Sequence, residues 1–244
     1  MRFLFQTITF CVLAYCLPAQ AMEFELRRVV STDNPAATRP VLILSGSVEG
    51  NEMRHLQDWF EKNPEIDTIV LKNSRGGDAA TGYRVGEYLR EKGLNTLVAG
   101  YCLSSCSRMF LGGKKRSFSD ELPLDRTFVG FHGNYANDGS LLSARISTLK
   151  AWIIKYSDGK ANPELVDQWV NLQNRRGFAY FHHQQSSAAL GSQRVLLCQG
   201  SEDQQRRREL CAKPDLGDAL TNGIVTDWDI VKINYKPAKQ EETQ

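Results

Sequence analysis

The chain has 244 residues, of which 41% are hydrophobic and 24% are charged, and its formal net charge is +2. This length is enough for one good-sized domain, and the composition is that of a globular protein rather than a disordered or fibrous one. A charge so close to zero argues against a nucleic-acid scaffold, so we expect no nucleic-acid partner.

The first 21 residues have the pattern of a secretory signal peptide. Arg2 precedes an apolar run over residues 3–17, and a small-residue cleavage site ends at Ala21. We predict cleavage after Ala21 and export, most simply to a bacterial periplasm, with no membrane span left in the mature chain. Lipidation at Cys16 is the alternative, but the bulky Tyr15 stands where a lipoprotein signal has a small residue.

Strands alternate with helices in the first half of the mature chain. Apolar runs at residues 41–46, 68–72 and 96–99 predict buried strands, and each is followed by apolar residues at helical spacing. This alternation predicts an α/β fold with a parallel sheet and right-handed crossovers.

The pattern changes after residue 133. We predict a helical insertion over about residues 140–187, followed by a short strand at 195–198, a helix at 218–222 and a strand at 224–225. Residues 22–235 are thus predicted to form a single domain, and the polar residues 236–244 a disordered tail.

Three segments carry residues suited to acyl transfer. A strand ends in Gly76-Gly77, a turn between a strand and a helix contains Ser104 and Ser105, and a short strand delivers His132. A serine at such a corner is held out of the sheet, where N–H groups at the helix start can face an oxyanion. A neutral imidazole can take the serine proton, and glycines let the backbone approach a substrate closely.

The order of these segments resembles that in the Clp protease proteolytic subunit and its relatives. The resemblance covers residues 41–133, and a weaker similarity is present at residues 218–227. It looks most like a periplasmic branch of that superfamily, in which the serine segment reads Cys-x-Ser-x-Cys. The resemblance implies a repeated β-β-α (ClpP/crotonase-like) core with a helical insertion after the histidine. It also implies a homo-oligomeric, cofactor-free serine peptidase whose substrates are peptides or unfolded proteins.

Carried over to this sequence, the resemblance makes Ser104 the nucleophile and His132 the base, with Gly76, Gly77 and the Ser105 N–H as the oxyanion hole. Counting from the turn glycine favours Ser104, whereas counting back from the following helix favours Ser105, so both stay candidates. The family also has an orienting acid, for which the nearest candidates are Glu209 and Asp215. Arg75 departs from the family, which has proline there.

The cysteines fit an oxidising compartment. The mature chain keeps Cys102, Cys106, Cys198 and Cys211, which allow three disulfide connectivities. We favour the local pairs Cys102–Cys106 and Cys198–Cys211, and the first pair requires a turn that is not helical around Ser104. A zinc site with His132 or with His182 and His183 is an alternative, as is a cysteine nucleophile, but we expect no metal.

The sequence therefore predicts an exported hydrolase of the serine peptidase type. The first alternative is a catalytically inactive protein that keeps the fold and binds a partner, because the orienting acid is missing from its expected place. The second is an acyl-CoA enzyme of the crotonase type, which shares the paired oxyanion donors, although export argues against a cytosolic CoA ester as substrate.

Overall fold

The computed structural model describes residues 21–30, 38–204 and 208–233. The predicted signal peptide, except Ala21, and the predicted tail at 236–244 lie outside the described residues. The strands are β1 (Glu23–Val30), β2 (Thr38–Val48), β3 (Thr68–Gly77), β4 (Asn95–Leu103), β5 (Arg116–Ser119), β6 (Phe128–Phe131), β7 (Phe178–His182), β8 (Val195–Cys198) and β9 (Ile230–Val231). The α-helices are α1 (Glu52–Lys62), α2 (Ala79–Glu91), α3 (Ser105–Leu111), α4 (Ile146–Tyr156), α5 (Pro163–Val170) and α6 (Ser201–Gln204).

The strands form one sheet with a parallel centre. The order is β1-β2-β3-β4-β6-β7-β8, with β5 beside β4 and β9 beside β5. Strands β2, β3, β4 and β6 run parallel, whereas β1 at one edge and β7 and β8 at the other run antiparallel to their neighbours. The predicted mixed α/β fold with a largely parallel sheet is confirmed.

Both faces of the central strands are buried, which explains their continuous apolar sequences. Along β2, Leu42 and Leu44 pack in the core on the side of the helices, while Val41 and Ile43 belong to a smaller cluster on the opposite face. Helices α2 and α3 approach each other closely at Gly82, which has no side chain. A Cβ atom at this position would lie only 2.7 Å from the Cβ atom of Ser105. A larger residue than glycine at position 82 would therefore collide with the first residue of α3.

The segment after β6 departs from the predicted helical insertion. Helices α4 and α5 occupy its first part, but residues 178–182, expected to lie in it, form strand β7 between β6 and β8. All five residues of β7 are buried, so the strand has no polar face to produce an alternating pattern. A short apolar run of this kind cannot be distinguished from a helix by periodicity.

The C-terminal helix and strand predicted at 218–222 and 224–225 are also absent from the described residues. Residues 218–223 form a turn, in which the Asp218 carboxylate accepts the N–H groups of Leu220 and Thr221. Ile224 and Val225 are fully buried without joining the sheet. Asp218 therefore stabilises a turn here, a role that short polar side chains often have.

The cysteines form the two predicted local pairs. The sulfur atoms are 2.05 Å apart in Cys102–Cys106 and 1.99 Å apart in Cys198–Cys211. Cys102 lies on β4 and Cys106 in the first turn of α3, so the chain is not helical at Leu103 and Ser104, as the pairing required. Cysteines held in disulfides supply neither a zinc thiolate nor a cysteine nucleophile, which removes the support for both alternatives.

Over the described ranges, no helix combines the length and the apolar character needed to cross a membrane.

Candidate active site

Ser104 lies at a strained corner between β4 and α3. Its φ is 56° and its ψ is −122°, a conformation that costs a residue other than glycine about 1–3 kcal/mol. Its N–H donates to the Gly130 carbonyl at 3.1 Å, and its own carbonyl accepts the Ser107 N–H at 3.0 Å. These bonds and the Cys102–Cys106 disulfide hold the corner in place.

His132 is brought to this corner by strand pairing. Strand β6 pairs with the end of β4, with Leu103 opposite Gly130, so the residue after β6 and the residue after β4 are neighbours. The Nε2 atom of His132 lies 2.7 Å from the Oγ atom of Ser104. The imidazole also stacks on Phe178, with ring centroids 4.2 Å apart and planes inclined by 16°. The structure thus brings two of the predicted site residues into hydrogen-bonding contact.

The other imidazole nitrogen faces a backbone carbonyl. The Nδ1 atom of His132 is 3.1 Å from the carbonyl oxygen of Arg175. A carbonyl only accepts hydrogen bonds, so Nδ1 carries the proton and Nε2 is left to accept the Ser104 hydroxyl. This is the tautomer that a general base for Ser104 needs.

Neither acid predicted to orient His132 does so. In the described part of the chain, the hydrogen bonds of the imidazole are those with Ser104 and Arg175. Asp215 accepts instead from Gln193 Nε2 at 2.7 Å, and Glu209 lies on an exposed turn. Among the described residues, the partner of His132 Nδ1 is thus a carbonyl and not one of the two candidate acids. A backbone carbonyl can come from any residue type, so no sequence signal could have indicated Arg175.

Ser105 occupies a different environment from Ser104. It is fully buried, and among the described residues its Oγ has no hydrogen-bond partner. Its N–H is at the start of α3, where backbone N–H groups lack partners within the helix. Of the two candidate nucleophiles, only Ser104 contacts His132 through its hydroxyl.

The two glycines lie beside the corner. A Cβ on Gly76 would be 2.8 Å from the Ser104 Cβ and 2.9 Å from the Ser105 nitrogen, and one on Gly77 would be 2.0 Å from the Val48 carbonyl oxygen. Their φ values are 84° and 151°, so both the space and the backbone demand glycine. The Gly76 N–H donates to Ser74 Oγ at 3.2 Å.

One charged residue near the site was not singled out from the sequence. Arg108 lies in α3, and its side chain is almost completely buried. Its Nη2 donates to Asn134 Oδ1 at 2.8 Å, and its guanidinium carbon is 4.7 Å from the centre of the Tyr83 ring. The sequence offered one indication of this residue, namely a single arginine among the apolar residues of a short predicted helix.

The charge of Arg108 acts on His132. Burial lowers the pKa of His132 to about 3, with a further contribution from the Arg108 cation, while the Arg175 carbonyl opposes the shift. The imidazole is therefore neutral at neutral pH, as a base must be.

Tyr135 links the segment of His132 to the loop of Arg175. Its ring centre is 5.0 Å from that of the imidazole, and its hydroxyl donates to the Leu172 carbonyl at 2.7 Å. Burial raises the pKa of this phenol to about 12, so the donor keeps its proton. Sequence analysis gave no indication of this role.

A polar groove adjoins the corner at the carboxyl ends of β2, β3 and β4. Arg75 is exposed there, with its guanidinium 5.4 Å from the centre of the Tyr101 ring. The walls carry hydroxyl and amide groups, from Ser45, Ser47, Asn73 and Tyr101. Arg75 immediately precedes Gly76, which connects this groove to the glycines beside Ser104.

Across the described ranges, no three His, Cys, Asp or Glu residues are grouped so that they could hold a metal ion.

No family model matches the chain, and no curated protein is similar to it in sequence. Similar solved structures include a mutant of a membrane-bound stomatin-specific protease, 10% identical, covering 78% of this chain and 76% of that one with a TM-score of 0.44. ClpP1 from Listeria monocytogenes is 11% identical, covering 80% of this chain and 92% of its own with a TM-score of 0.44. A mutant of Listeria monocytogenes ClpP1 is 13% identical, covering 55% and 79% with a TM-score of 0.40. Likeness at this level carries no information about chemistry.

Proposed function

We propose that the protein is a serine hydrolase that cleaves peptide bonds, with Ser104 as nucleophile and His132 as general base. One observation carries the proposal, namely the 2.7 Å contact between Ser104 Oγ and His132 Nε2 at a strained turn. Strain of this kind persists only where the surroundings impose it, and it is concentrated at functional sites.

The reaction follows from the positions of the protons. Ser104 Oγ attacks the carbonyl carbon of the peptide while its proton passes to His132 Nε2. The imidazolium then gives that proton to the leaving amine, and the acyl group stays on Ser104. A water molecule activated by the neutral His132 hydrolyses the ester and restores the serine.

The oxyanion donors in this proposal are the N–H groups of Gly77 and Ser105. The Gly76 N–H already has an acceptor in Ser74 Oγ, so we assign Gly76 the role of letting β3 approach the corner. Removing one oxyanion donor typically lowers the rate about 100- to 1,000-fold.

The Arg175 carbonyl takes the orienting role that an acid has in a Ser-His-Asp triad. It fixes the tautomer of His132, but as a neutral group it stabilises the imidazolium less than a carboxylate would. We therefore expect a slower enzyme than one with a full triad.

We further propose export with cleavage after Ala21, action on short or unfolded peptides, and self-association. Support comes from the sequence pattern of residues 1–21, the two disulfides and the groove lined by Arg75 and Tyr101. The N-terminal residue of the secreted protein and its mass in solution by light scattering test the first and last of these.

The test of the nucleophile is intact-mass analysis of the oxidised protein after exposure to a fluorophosphonate. We expect one adduct, lost in Ser104→Ala and kept in Ser147→Ala, which removes an exposed hydroxyl on α4. An adduct that persists in Ser104→Ala, or one lost only in Ser105→Ala, would contradict the assignment.

A second candidate function is a non-catalytic binding protein with the same fold. The absence of a carboxylate at His132 Nδ1 favours it, because the imidazolium formed during catalysis would lack its usual partner. No adduct in any variant of a folded, oxidised protein would support this function over catalysis.

A further inference from the structure

Arg108 is a buried cation without a carboxylate partner among the described residues. Its side chain is 3% exposed, and its contacts are the Asn134 amide and the face of Tyr83. An isolated buried charge is costly, and arginine does not lose its proton to avoid the cost. The hydrogen bond and the aromatic face reduce this cost without cancelling the charge.

The side chain of Arg108 joins the nucleophile helix to the segment that carries His132. Arg108 lies four residues after Ser104, so it is on the same side of α3, and helical side chains lean back toward the N-terminus. Its partner Asn134 follows His132 by two residues and donates in turn to the Tyr83 hydroxyl at 3.0 Å. Contacts among Tyr83, Arg108 and Asn134 thus join α2 and α3 to the segment that carries the base.

The other groups in contact with His132 are aromatic rings, a hydroxyl and a backbone carbonyl. Phe178 stacks on the imidazole, and Tyr135 keeps its proton. Arg175 contributes its carbonyl, while its side chain extends toward Gly139. Among the described residues, Arg108 is therefore the charged side chain with the strongest influence on His132.

We propose that Arg108 is a positioning residue that anchors the segment carrying His132 to the nucleophile helix and whose charge, added to the effect of burial, opposes the protonation of His132 in acid. The consequence is that Ser104 retains its base at pH values where an ordinary histidine would be protonated. This role rests on the proposed function only for its effect on the reaction, since the protonation of His132 is measurable in the absence of a substrate.

The experiment is an NMR titration of the histidine imidazoles in the full-length mature protein, with His132 assigned by its absence in His132→Asn. In the wild type we expect no protonation of His132 above about pH 5. Arg108→Gln removes the charge and keeps an amide that can bond Asn134, so the midpoint should rise by about one pH unit. Arg108→Lys keeps the charge, so its midpoint should stay close to that of the wild type.

A wild-type midpoint between about pH 6 and 7 would overturn the proposal without reference to any variant. Equal midpoints in wild type and Arg108→Gln would also overturn it, as would equal shifts in the Gln and Lys variants, which would indicate packing rather than charge. Circular dichroism defines the pH range in which each variant is folded.

The rate of fluorophosphonate labelling against pH adds the functional readout. We expect the wild-type rate to fall less than about twofold between pH 7 and pH 5, and the Arg108→Gln rate to fall more steeply on the acid side. A wild-type rate that falls about tenfold over this range would contradict the role of Arg108 in the reaction. No labelling at any pH would refute the proposed function while leaving the NMR test of Arg108 valid.

Discussion

The two halves of the candidate site are built in different ways. Ser104 belongs to a contiguous strand, turn and helix, and the Cys102–Cys106 disulfide encloses it. His132 is oriented by a carbonyl 43 residues further along the chain, on a loop that Tyr135 holds in place. The nucleophile half is thus specified locally, whereas the base half exists only after the chain has folded.

Removing the disulfide around Ser104 should have the largest effect on reactivity. In Cys102→Ala/Cys106→Ala we expect fluorophosphonate labelling to slow about 100-fold, because a displacement of about 1 Å at a reacting group has that cost. The loop closed by this disulfide is short, so the free energy of unfolding should fall by only about 2 kcal/mol.

The second disulfide is the matched control. It spans 13 residues, so Cys198→Ala/Cys211→Ala should lower the free energy of unfolding by about 3 kcal/mol. Its labelling rate should fall by much less than that of Cys102→Ala/Cys106→Ala in folded protein, because Cys198 reaches His132 only through its cross-strand partner Phe178. If both double variants slowed labelling equally, the distinction between the two halves would be refuted.

On the base half, Tyr135→Phe should slow labelling about tenfold. The change keeps the ring beside His132 and removes the hydrogen bond that holds the Arg175 loop, so the tautomer of His132 is less firmly fixed. The control variant is Tyr88→Phe, because Tyr88 is half-buried against Phe60. We expect this variant to label at the wild-type rate. Unchanged labelling in Tyr135→Phe would show that the loop holds its carbonyl without this bond.

The smallest effect concerns the strain at Ser104. In Ser104→Gly the free energy of unfolding should rise by about 1 kcal/mol, because glycine adopts a φ of 56° without steric cost. Ser104→Ala keeps the Cβ and the strain, so its stability should match the wild type. Urea denaturation measures both variants, and a stability gain in the alanine variant alone would contradict the strain interpretation.

The sequence predicted the central sheet and the nucleophile half because their signals are local. The buried strands β2, β3 and β4 are visible in the sequence as apolar runs. The double glycine ends β3, and the serine turn directly follows β4 in the sequence. Strand β7 was assigned to a helical insertion, because a short run buried on both faces has no periodicity to distinguish it.

The base half was predictable only in part. His132 was found by its place in the motif order, but its orienting group is a backbone carbonyl, which leaves no trace in residue types. The search for an acid therefore led to Glu209 and Asp215, which do not contact the imidazole. Arg108 and Tyr135 act through tertiary contacts that spacing along the chain does not reveal.

The disulfide around Ser104 also has a consequence for how the protein matures. Its two sulfurs join β4 to α3 with Ser104 between them, so the corner receives its second restraint only when the thiols are oxidised. A chain still in the reducing compartment where it is made would carry the same residues in a looser corner. Under the proposed function, oxidation would then act as a built-in delay, with full reactivity of Ser104 gained only after the disulfide has formed.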